Sequence, residues 1–230
     1  ALWDKRQAML FIARDRVGIR PLFYTWIDGT FLFASEIKSL FIDKRVKREL
    51  DPHALDQIFT FWMTIPPRTA FTDILELPAG HFMVIKENSF TTEKYWDLDF
   101  SPDSRIKTEG EYVEELTALL IDSTRLQLRA DVPVGAYLSG GIDSSVIAAL
   151  IKNYTNTPLR TFSVSFHDGV YDESEYQRQM IEYLHTEHSE IKCSYTDIGR
   201  VFPDVVWHTE KPIVRTAPAP LYLLSKLVKD

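Results

Sequence analysis

The sequence predicts two folds in succession, a half built on antiparallel sheet followed by a parallel α/β half. Residues 9–34 are rich in Phe, Leu and Tyr, and the pair Asp28-Gly29 is typical of a tight hairpin turn. Residues 97–110 are polar and lack any periodicity, which indicates a boundary. Beyond them, short apolar segments alternate with helical patterns, as in a parallel sheet with helices on both faces.

In the first half, strands are predicted at MLFIARD, PLFYTW and FLFAS. Asp51 followed by Pro52 has the pattern of a helix N-cap with proline at the first helical position, so a helix is predicted through HALDQIFTFW. The aromatic residues at its end, Phe59, Phe61 and Trp62, are interpreted as core and not as a platform for a ligand. HFMVIKENSFTTEKYW then predicts a second hairpin that turns near residue 88.

In the second half, a helix is predicted over residues 111–128 because one of its faces is largely apolar. The members of this face are Val113, Leu116, Leu119, Leu120 and Thr124. Strands are then predicted at VPVGAYLS, TFSVSF and SEIKC, and helices at SSVIAALIKN, DESEYQRQMIEYLHT and TDIGRVFPDVVWHT. His185 and His188, near a helix end, are expected to be cations favoured by the helix dipole.

Composition limits the classes of partner. The 230 residues carry a formal charge of −7, which argues against a broad nucleic-acid or anionic-membrane surface. The single cysteine, Cys193, excludes an internal disulfide framework and a cysteine metal cage, and it is interpreted as a small buried thiol. We therefore expect a cytoplasmic protein whose partners are small-molecule substrates or other proteins, and neither nucleic acid nor membrane. A homodimer is one option for its assembly.

The stretch LSGGIDSS, residues 138–145, lies where a predicted strand ends and a helix begins. Ligands bind at this edge of a parallel sheet. Gly140 and Gly141 allow backbone N–H groups to face an anion, and the following helix presents its positive dipole end. The alternative is a simple Gly-Gly turn in which Ser and Asp cap the next helix.

Asp143 sharpens the first interpretation. A carboxylate would repel a bare phosphate, so its presence inside the loop suggests a bridging divalent cation, with Mg²⁺ the natural choice. The Lys of a Walker motif is missing. SGGIDSS instead resembles the pyrophosphate loop S-G-G-x-D-S of ATP pyrophosphatases.

The first half also resembles a known family. RDRVGIRPLFY and FASEIKSL are similar to the inner part of a class II glutamine amidotransferase domain, which has an N-terminal-nucleophile fold. LDPHALDQIFTFW, PPRTAFTDILELPAGHFMVI, YWDLDF, DVPVGAYLSGGIDSS and TFSVSF follow in the order found in glutamine-hydrolysing asparagine synthetases. The resemblance covers essentially the whole chain.

This resemblance implies three regions. Residues 1–97 would be the C-terminal part of an αββα amidotransferase domain, 98–110 a linker, and 111–230 the start of a parallel-sheet α/β ATP pyrophosphatase domain, of the adenine nucleotide alpha hydrolase type. The implied activity is conversion of L-aspartate to L-asparagine through β-aspartyl-AMP, with ATP and Mg²⁺ and with ammonia from L-glutamine.

The resemblance also implies the site residues. Pyrophosphate would be bound by Ser139, Gly140, Gly141, Asp143 and Ser144, with Asp143 as the Mg²⁺ ligand. Leu138 and Val164 would line the adenosine pocket. EKPIVRTAPAPLYLLS resembles the segment that flanks the acyl-adenylate, so Arg215 and Thr216 would hold substrate carboxylate or phosphate, the alternative being an arginine that is merely solvated on a loop.

Two family features are missing from these residues. The N-terminal cysteine nucleophile and its glutamine-binding residues would lie before the first residue, and the SGEGSDE-type loop with a catalytic Glu would lie after the last. We therefore expect an internal piece of a longer enzyme, without catalytic residues of its own and inactive alone. The alternatives are a paralogue acting on another acid, as in β-lactam synthetases or in peptide and polysaccharide maturation, and a noncatalytic interaction module.

Overall fold

The structure is a computed structural model, and it describes residues 1–87, 89–101, 107–166 and 174–229. The chain divides into two compact units. One comprises Ala1–Ser101 with Val206–Arg215, and the other Pro102–Val205 with Thr216–Asp230. The predicted turn at Asn88 and residues 102–106 of the predicted linker lie outside the described residues.

The first unit contains two antiparallel sheets, with strand orders β1-β2-β6-β7 and β4-β3-β5. Its elements are β1 (Leu2–Asp4), β2 (Met9–Ala13), β3 (Phe23–Ile27), β4 (Thr30–Ala34), α1 (Ile37–Leu40), α2 (Pro52–Phe61), β5 (Leu75–Glu76), β6 (His81–Lys86) and β7 (Ser89–Lys94). Asp28 and Gly29, which join β3 to β4, have φ angles of 48° and 73°. The predicted hairpin turn is therefore confirmed, since its type needs positive φ at both residues.

The strands of the smaller sheet contribute side chains to two hydrophobic clusters, because successive side chains of a strand point to opposite faces of the sheet. Tyr24 of β3 packs with Ile12 and Met83 of the larger sheet, whereas Phe23 packs on the cluster that contains Ile37 of α1. The first unit is therefore layered as helix, sheet and sheet.

Helix α2 begins as predicted and ends differently. The Asp51 carboxylate accepts a hydrogen bond from the His53 amide at 2.9 Å, which makes Asp51 the N-cap. The buried face of the helix is small, formed by Ala54 and Ile58. Phe59, Phe61 and Trp62 are 71, 59 and 59% exposed, so the interpretation of these aromatics as core is wrong. They follow the buried turn on other faces of the helix, and Trp62 ends it with a φ of 65°.

The second unit is built on a parallel sheet of order β10-β9-β8. Its elements are α3 (Glu109–Gln127), β8 (Gly135–Tyr137), α4 (Ile142–Tyr154), β9 (Arg160–Phe166), α5 (Ser174–Leu184), β10 (Glu187–Cys193), the greater part of α6 (Tyr195–Thr209) and α7 (Pro218–Lys229). Leu138, Ala148, Ile151, Leu159 and Leu184 form its core. The predicted change from antiparallel sheet to parallel α/β is confirmed.

Helix α3 forms close to its predicted bounds, but most of its apolar face is exposed. Thr108 and Glu111 form a reciprocal capping box that starts it. Val113, Leu116 and Leu119, however, are 57 to 61% exposed among the described residues, and Thr124 is the buried member of the predicted face. The apolar period of a helix identifies a face, but it does not identify how much of that face a neighbour covers.

The sheet of the second unit also carries a buried polar network. Thr161 and Ser163 of β9 are 0 and 1% exposed. The His188 ring, on β10, makes hydrogen bonds of 2.9 Å from Nδ1 to Thr161 Oγ1 and 3.0 Å from Nε2 to Ser163 Oγ. Burial lowers the pKa of His188, and the nearby Glu190 opposes this only in part. The expectation that His188 is a helix-end cation is therefore wrong, because it lies within a strand in a setting that favours the neutral ring.

Acid should selectively weaken this unit. The pKa of His188 is lower in the folded protein than its ordinary value of 6.5, so below about pH 6.5 the unfolded chain takes up a proton that the folded unit resists. We expect the free energy of unfolding in urea to fall between pH 7.5 and 5.5, and His188→Gln to reduce that fall. The control His53→Gln changes an exposed residue of α2 and should leave the fall in the free energy of unfolding as large as in the wild type. Equal pH dependence in both variants would contradict the assignment.

Candidate functional site

The Gly-Ser loop lies at the carboxyl edge of the parallel sheet. Strand β8 ends at Tyr137, and the Leu138 amide extends the ladder by donating to Phe162 O at 2.8 Å. Helix α4 starts at Ile142. The four residues between strand and helix therefore occupy the position at which open α/β sheets bind ligands.

Two glycines are needed for this geometry. A Cβ on Gly135 would lie 2.5 Å from Cε2 of the Phe162 ring, so glycine at this position makes room for the ring to lie against β8. Gly140 has a φ of 87°, a conformation that side-chain-bearing residues rarely adopt. The chain can therefore turn sharply from the sheet into α4.

The loop hydroxyls form a closed network. Ser144 Oγ accepts from the Ser139 amide at 3.1 Å and donates to Gly141 O at 3.1 Å. Because its one proton is used there, the 2.9 Å contact with Ser139 Oγ requires Ser139 to donate. Ser139 Oγ in turn accepts from the Gly141 amide at 3.2 Å. The serines thus hold the loop backbone in its turn.

The start of α4 differs from the alternative of a side-chain cap. Its N-cap is Gly141, which has no side chain and therefore makes no side-chain cap hydrogen bond, whereas the Ser144 and Ser145 hydroxyls donate to its carbonyl oxygen. The first amides of a helix have no acceptor within the helix, and its positive dipole end favours an anion. Asp143, in the first turn, benefits from the same dipole.

A first cavity of about 260 Å³ adjoins the loop. Leu138, Ser139 and Val164 line it together, so three of the predicted site residues share one space. The rest of its wall is Tyr137, Phe162, Ser163, Phe166, Gln177, Ala217, Pro220, Leu221 and Leu224. The wall is largely apolar, with polar groups concentrated near the loop, which suits a flat base with a polar end.

A second cavity, of about 430 Å³, is lined by two other predicted site residues. Asp143 and Ser144 line it, together with Ser123, Thr124 and Gln127 of α3. Gly140 and Gly141 line neither cavity and form the turn between strand and helix. The side chains of the predicted loop residues are therefore divided between two cavities, with Leu138 and Ser139 at the first and Asp143 and Ser144 at the second.

The donor set at Asp143 fits one kind of cation site. Asp143 is exposed, and within the described residues no group of three His, Cys, Asp or Glu could hold a metal ion. Mg²⁺ is commonly bound by one or two carboxylates together with substrate phosphates. Asp143 therefore suits a cation that arrives with a nucleotide.

The division of the chain into two units falls between Arg215 and Thr216. Arg215 belongs to the first unit, where its guanidinium lies 5.1 Å from the centre of the Trp62 ring. Thr216 belongs to the second unit and is exposed, and its carbonyl accepts from the Ala219 amide at 2.9 Å just before α7. The segment contributes Ala217, and neither of the two predicted residues, to the first cavity.

Sequence reasoning missed Gln177, which lines the first cavity. A signal for it was present, because Gln177 shares a helical stripe with Met180, Ile181 and Leu184. A polar residue in an apolar stripe indicates a specific buried partner. Cys193, in contrast, is 1% exposed at the end of β10, and burial raises the pKa of its thiol. The interpretation of Cys193 as a buried thiol is confirmed.

Fold and loop together define a class, a parallel α/β domain with a Gly-Ser loop at its carboxyl edge, in a chain that also contains a two-sheet antiparallel unit. The family follows from comparison with known proteins. Residues 115–230 match the asparagine synthase family, and residues 1–96 match the glutamine amidotransferase domain. The chain belongs to the asparagine synthase family, as the motifs predicted.

Individual relatives are similar over nearly the whole chain. The chain is 34% identical over 230 residues to asparagine synthetase (glutamine-hydrolyzing) 1 of Bacillus subtilis, covering 99% of this chain and 36% of the relative. It is also 34% identical over 232 residues to the amidase chyE of Penicillium rubens, covering 92% of this chain and 34% of that protein. The chain thus spans about a third of the length of these relatives.

Solved structures give a weaker likeness. An NH3-dependent NAD synthetase from Campylobacter jejuni aligns over 50% of this chain and 51% of that one, with 17% identity and a TM-score of 0.36. Across the described residues, no helix is both long enough and apolar enough to cross a membrane.

Substitution of the loop glycine tests the turn itself. Gly140→Ala should lower the free energy of unfolding by about 1 to 2 kcal/mol, because alanine is strained at a φ of 87°. Gly199→Ala, within α6 where an added Cβ meets nothing within 4 Å, should instead raise it by about 0.5 to 1 kcal/mol. Urea unfolding followed by circular dichroism measures both, and a stabilising Gly140→Ala would refute the strained turn.

Proposed function

We propose that this chain carries the nucleotide-binding part of an enzyme that converts L-aspartate to L-asparagine with ATP and glutamine. The observation that carries the proposal is the loop of residues 138–141, with Gly140 in a positive φ conformation at the carboxyl edge of a parallel sheet. Family membership supports the same activity.

The proposed pose of ATP follows the chemistry of the walls. The base and ribose would enter the first cavity, where Leu138 and Val164 offer apolar contact and backbone groups. The phosphates would lie at Ser139, Gly140, Gly141 and Ser144, where hydroxyl and amide donors meet the N-terminus of α4. Ser139 would contact both parts because it lines the cavity and begins the loop.

Asp143 would hold Mg²⁺ through its carboxylate, and the ion would offset the charge that develops on the departing pyrophosphate. The backbone amides and serine hydroxyls of this chain would bind and orient the same group. Donors fixed before the reaction stabilise developing charge without further reorganisation. The loop would therefore favour cleavage between the α and β phosphates.

The proposed reaction has two stages. A β-carboxylate oxygen of aspartate attacks the α-phosphorus of ATP, and pyrophosphate leaves, which gives β-aspartyl-AMP. Ammonia from hydrolysis of glutamine to glutamate then attacks the acyl carbon, and AMP leaves with the bonding electrons. Adenylation makes the step feasible because AMP is a far better leaving group than oxide.

We further propose residues 1–97 as part of the amidotransferase domain, 98–110 as the linker and 111–230 as part of the synthetase domain. Arg215 and Thr216 keep a proposed role in holding substrate carboxylate or phosphate. The position of the Arg215 guanidinium over the Trp62 ring supports this role, because the aromatic face limits the freedom of the cation.

Exchange of labelled pyrophosphate into ATP tests the substrate. In the complete protein that contains this chain, exchange should depend on L-aspartate. The measurement needs no ammonia, so it isolates the first stage. Exchange that depends instead on another carboxylic acid, in particular a β-amino acid or a peptide carboxylate, would overturn aspartate and identify a paralogous amidoligase. A protein that shows no exchange with any acid would be a noncatalytic module.

Removal of the carboxylate tests the cation. Asp143→Asn should raise the Kd for Mg-ATP at least tenfold, on the order of 1.4 kcal/mol, while metal-free adenosine binds as before. The control Asp122→Asn removes an exposed carboxylate from α3 and should change neither. Calorimetric titration of the 230-residue chain measures both, and unchanged Mg-ATP affinity in Asp143→Asn would exclude the metal role.

A further inference from the structure

A buried side-chain amide bridges the loop and the strand beside it. Gln177 of α5 is 4% exposed. Its Nε2 donates to Ser139 O at 3.2 Å and to Val164 O at 3.1 Å. Because both acceptors are carbonyl oxygens, only the NH2 end of the amide can serve them, which fixes its orientation.

Gln177 replaces a missing donor of the sheet. Tyr137 pairs with Phe162, and the Leu138 amide donates to Phe162 O. In a parallel ladder the next bond would run from the Gly140 amide to Val164 O. The chain instead turns into the loop at Gly140, and Gln177 donates to Val164 O. The same amide also donates to Ser139 O. One side chain therefore links β9 to the loop at the point where the loop leaves the sheet.

Packing alone does not explain a glutamine here. Met180, Ile181 and Leu184 continue the same stripe of α5, and a methionine at 177 would fill a similar volume without burying an amide. Burying the amide is offset only through its two hydrogen bonds. The polar residue is therefore explained by the two carbonyl groups that it connects.

We infer that Gln177 is a positioning residue that sets the separation between the phosphate loop and the adenosine-binding strand. The inference rests on the proposed function, which assigns phosphate to Ser139 and adenosine to Val164. Gln177 also lines the first cavity, so its amide lies beside the space that ATP would span. A ligand that occupies both regions gains from a fixed separation, whereas a ligand that occupies one region does not.

The test compares whole and half ligands. In the complete protein that contains this chain, Gln177→Met should raise the Kd for Mg-ATP about tenfold, because Ser139 O and Val164 O are no longer held at a fixed separation before the ligand binds. The Kd values for adenosine and for Mg-pyrophosphate should stay within about twofold, since each half-site keeps its own contacts. Calorimetry measures ATP, and ligand-observed NMR measures the two weaker ligands. Gln179→Met, an exposed glutamine two residues along the same helix, is the matched control and should bind all three ligands as the wild type does.

The outcomes separate this inference from the proposed function. A wild-type chain that binds none of the three ligands overturns both. A wild type that binds them, with unchanged Mg-ATP affinity in Gln177→Met, overturns the positioning role alone. Equal losses for all three ligands would show general destabilisation and also overturn it. Should Gln177→Met fail to fold, Gln177→Asn keeps an amide that is one methylene too short, and failure of both variants to fold would make Gln177 a purely structural residue.

Discussion

The pairing of β8 with β9 is the constraint on which the candidate site depends. The pairing is short, three residues with one further bond at Leu138, and it requires glycine at position 135 because the Phe162 ring lies against the backbone there. Parallel pairing brings the carboxyl ends of both strands to one edge. The start of the loop and Val164 are therefore neighbours although they are far apart in sequence, and the first cavity follows from that neighbourhood.

The second unit buries polar side chains at positions that apolar side chains of similar size could fill. His188 bonds to Thr161 and Ser163 within the sheet, and Gln177 bonds to two carbonyl groups at its edge. Buried polar groups cost free energy unless each finds its partners, and a satisfied network holds a unique arrangement in return. Strand β8 pairs with β9 over only three residues, so side-chain hydrogen bonds help to hold this edge of the sheet.

Sequence patterns predicted the features that depend on local chemistry. The Asp28-Gly29 turn, the Asp51 cap and the strand-loop-helix at 138–145 each follow from a few adjacent residues, and the resemblance identified the family. Packing between distant elements was less accessible. The exposure of Phe59 and Leu116 and the division of Ser139 and Asp143 between two cavities depend on which surfaces neighbours cover. The residues around Gln177 in the sequence could not predict its hydrogen-bond acceptors, because these lie 38 and 13 residues away.

The serine network of the loop has a consequence for how tightly any anion can be held. The hydroxyl groups of Ser139 and Ser144 bond to each other and to the loop backbone. A phosphate oxygen that recruits either hydroxyl must compete with an internal bond of similar strength, so each contact adds only a difference between two hydrogen bonds. The hydroxyl donors of the loop thus already have acceptors within the loop, and an anion must compete with these. Such an arrangement keeps its shape without a ligand's help and lets a highly charged anion depart once it has bound.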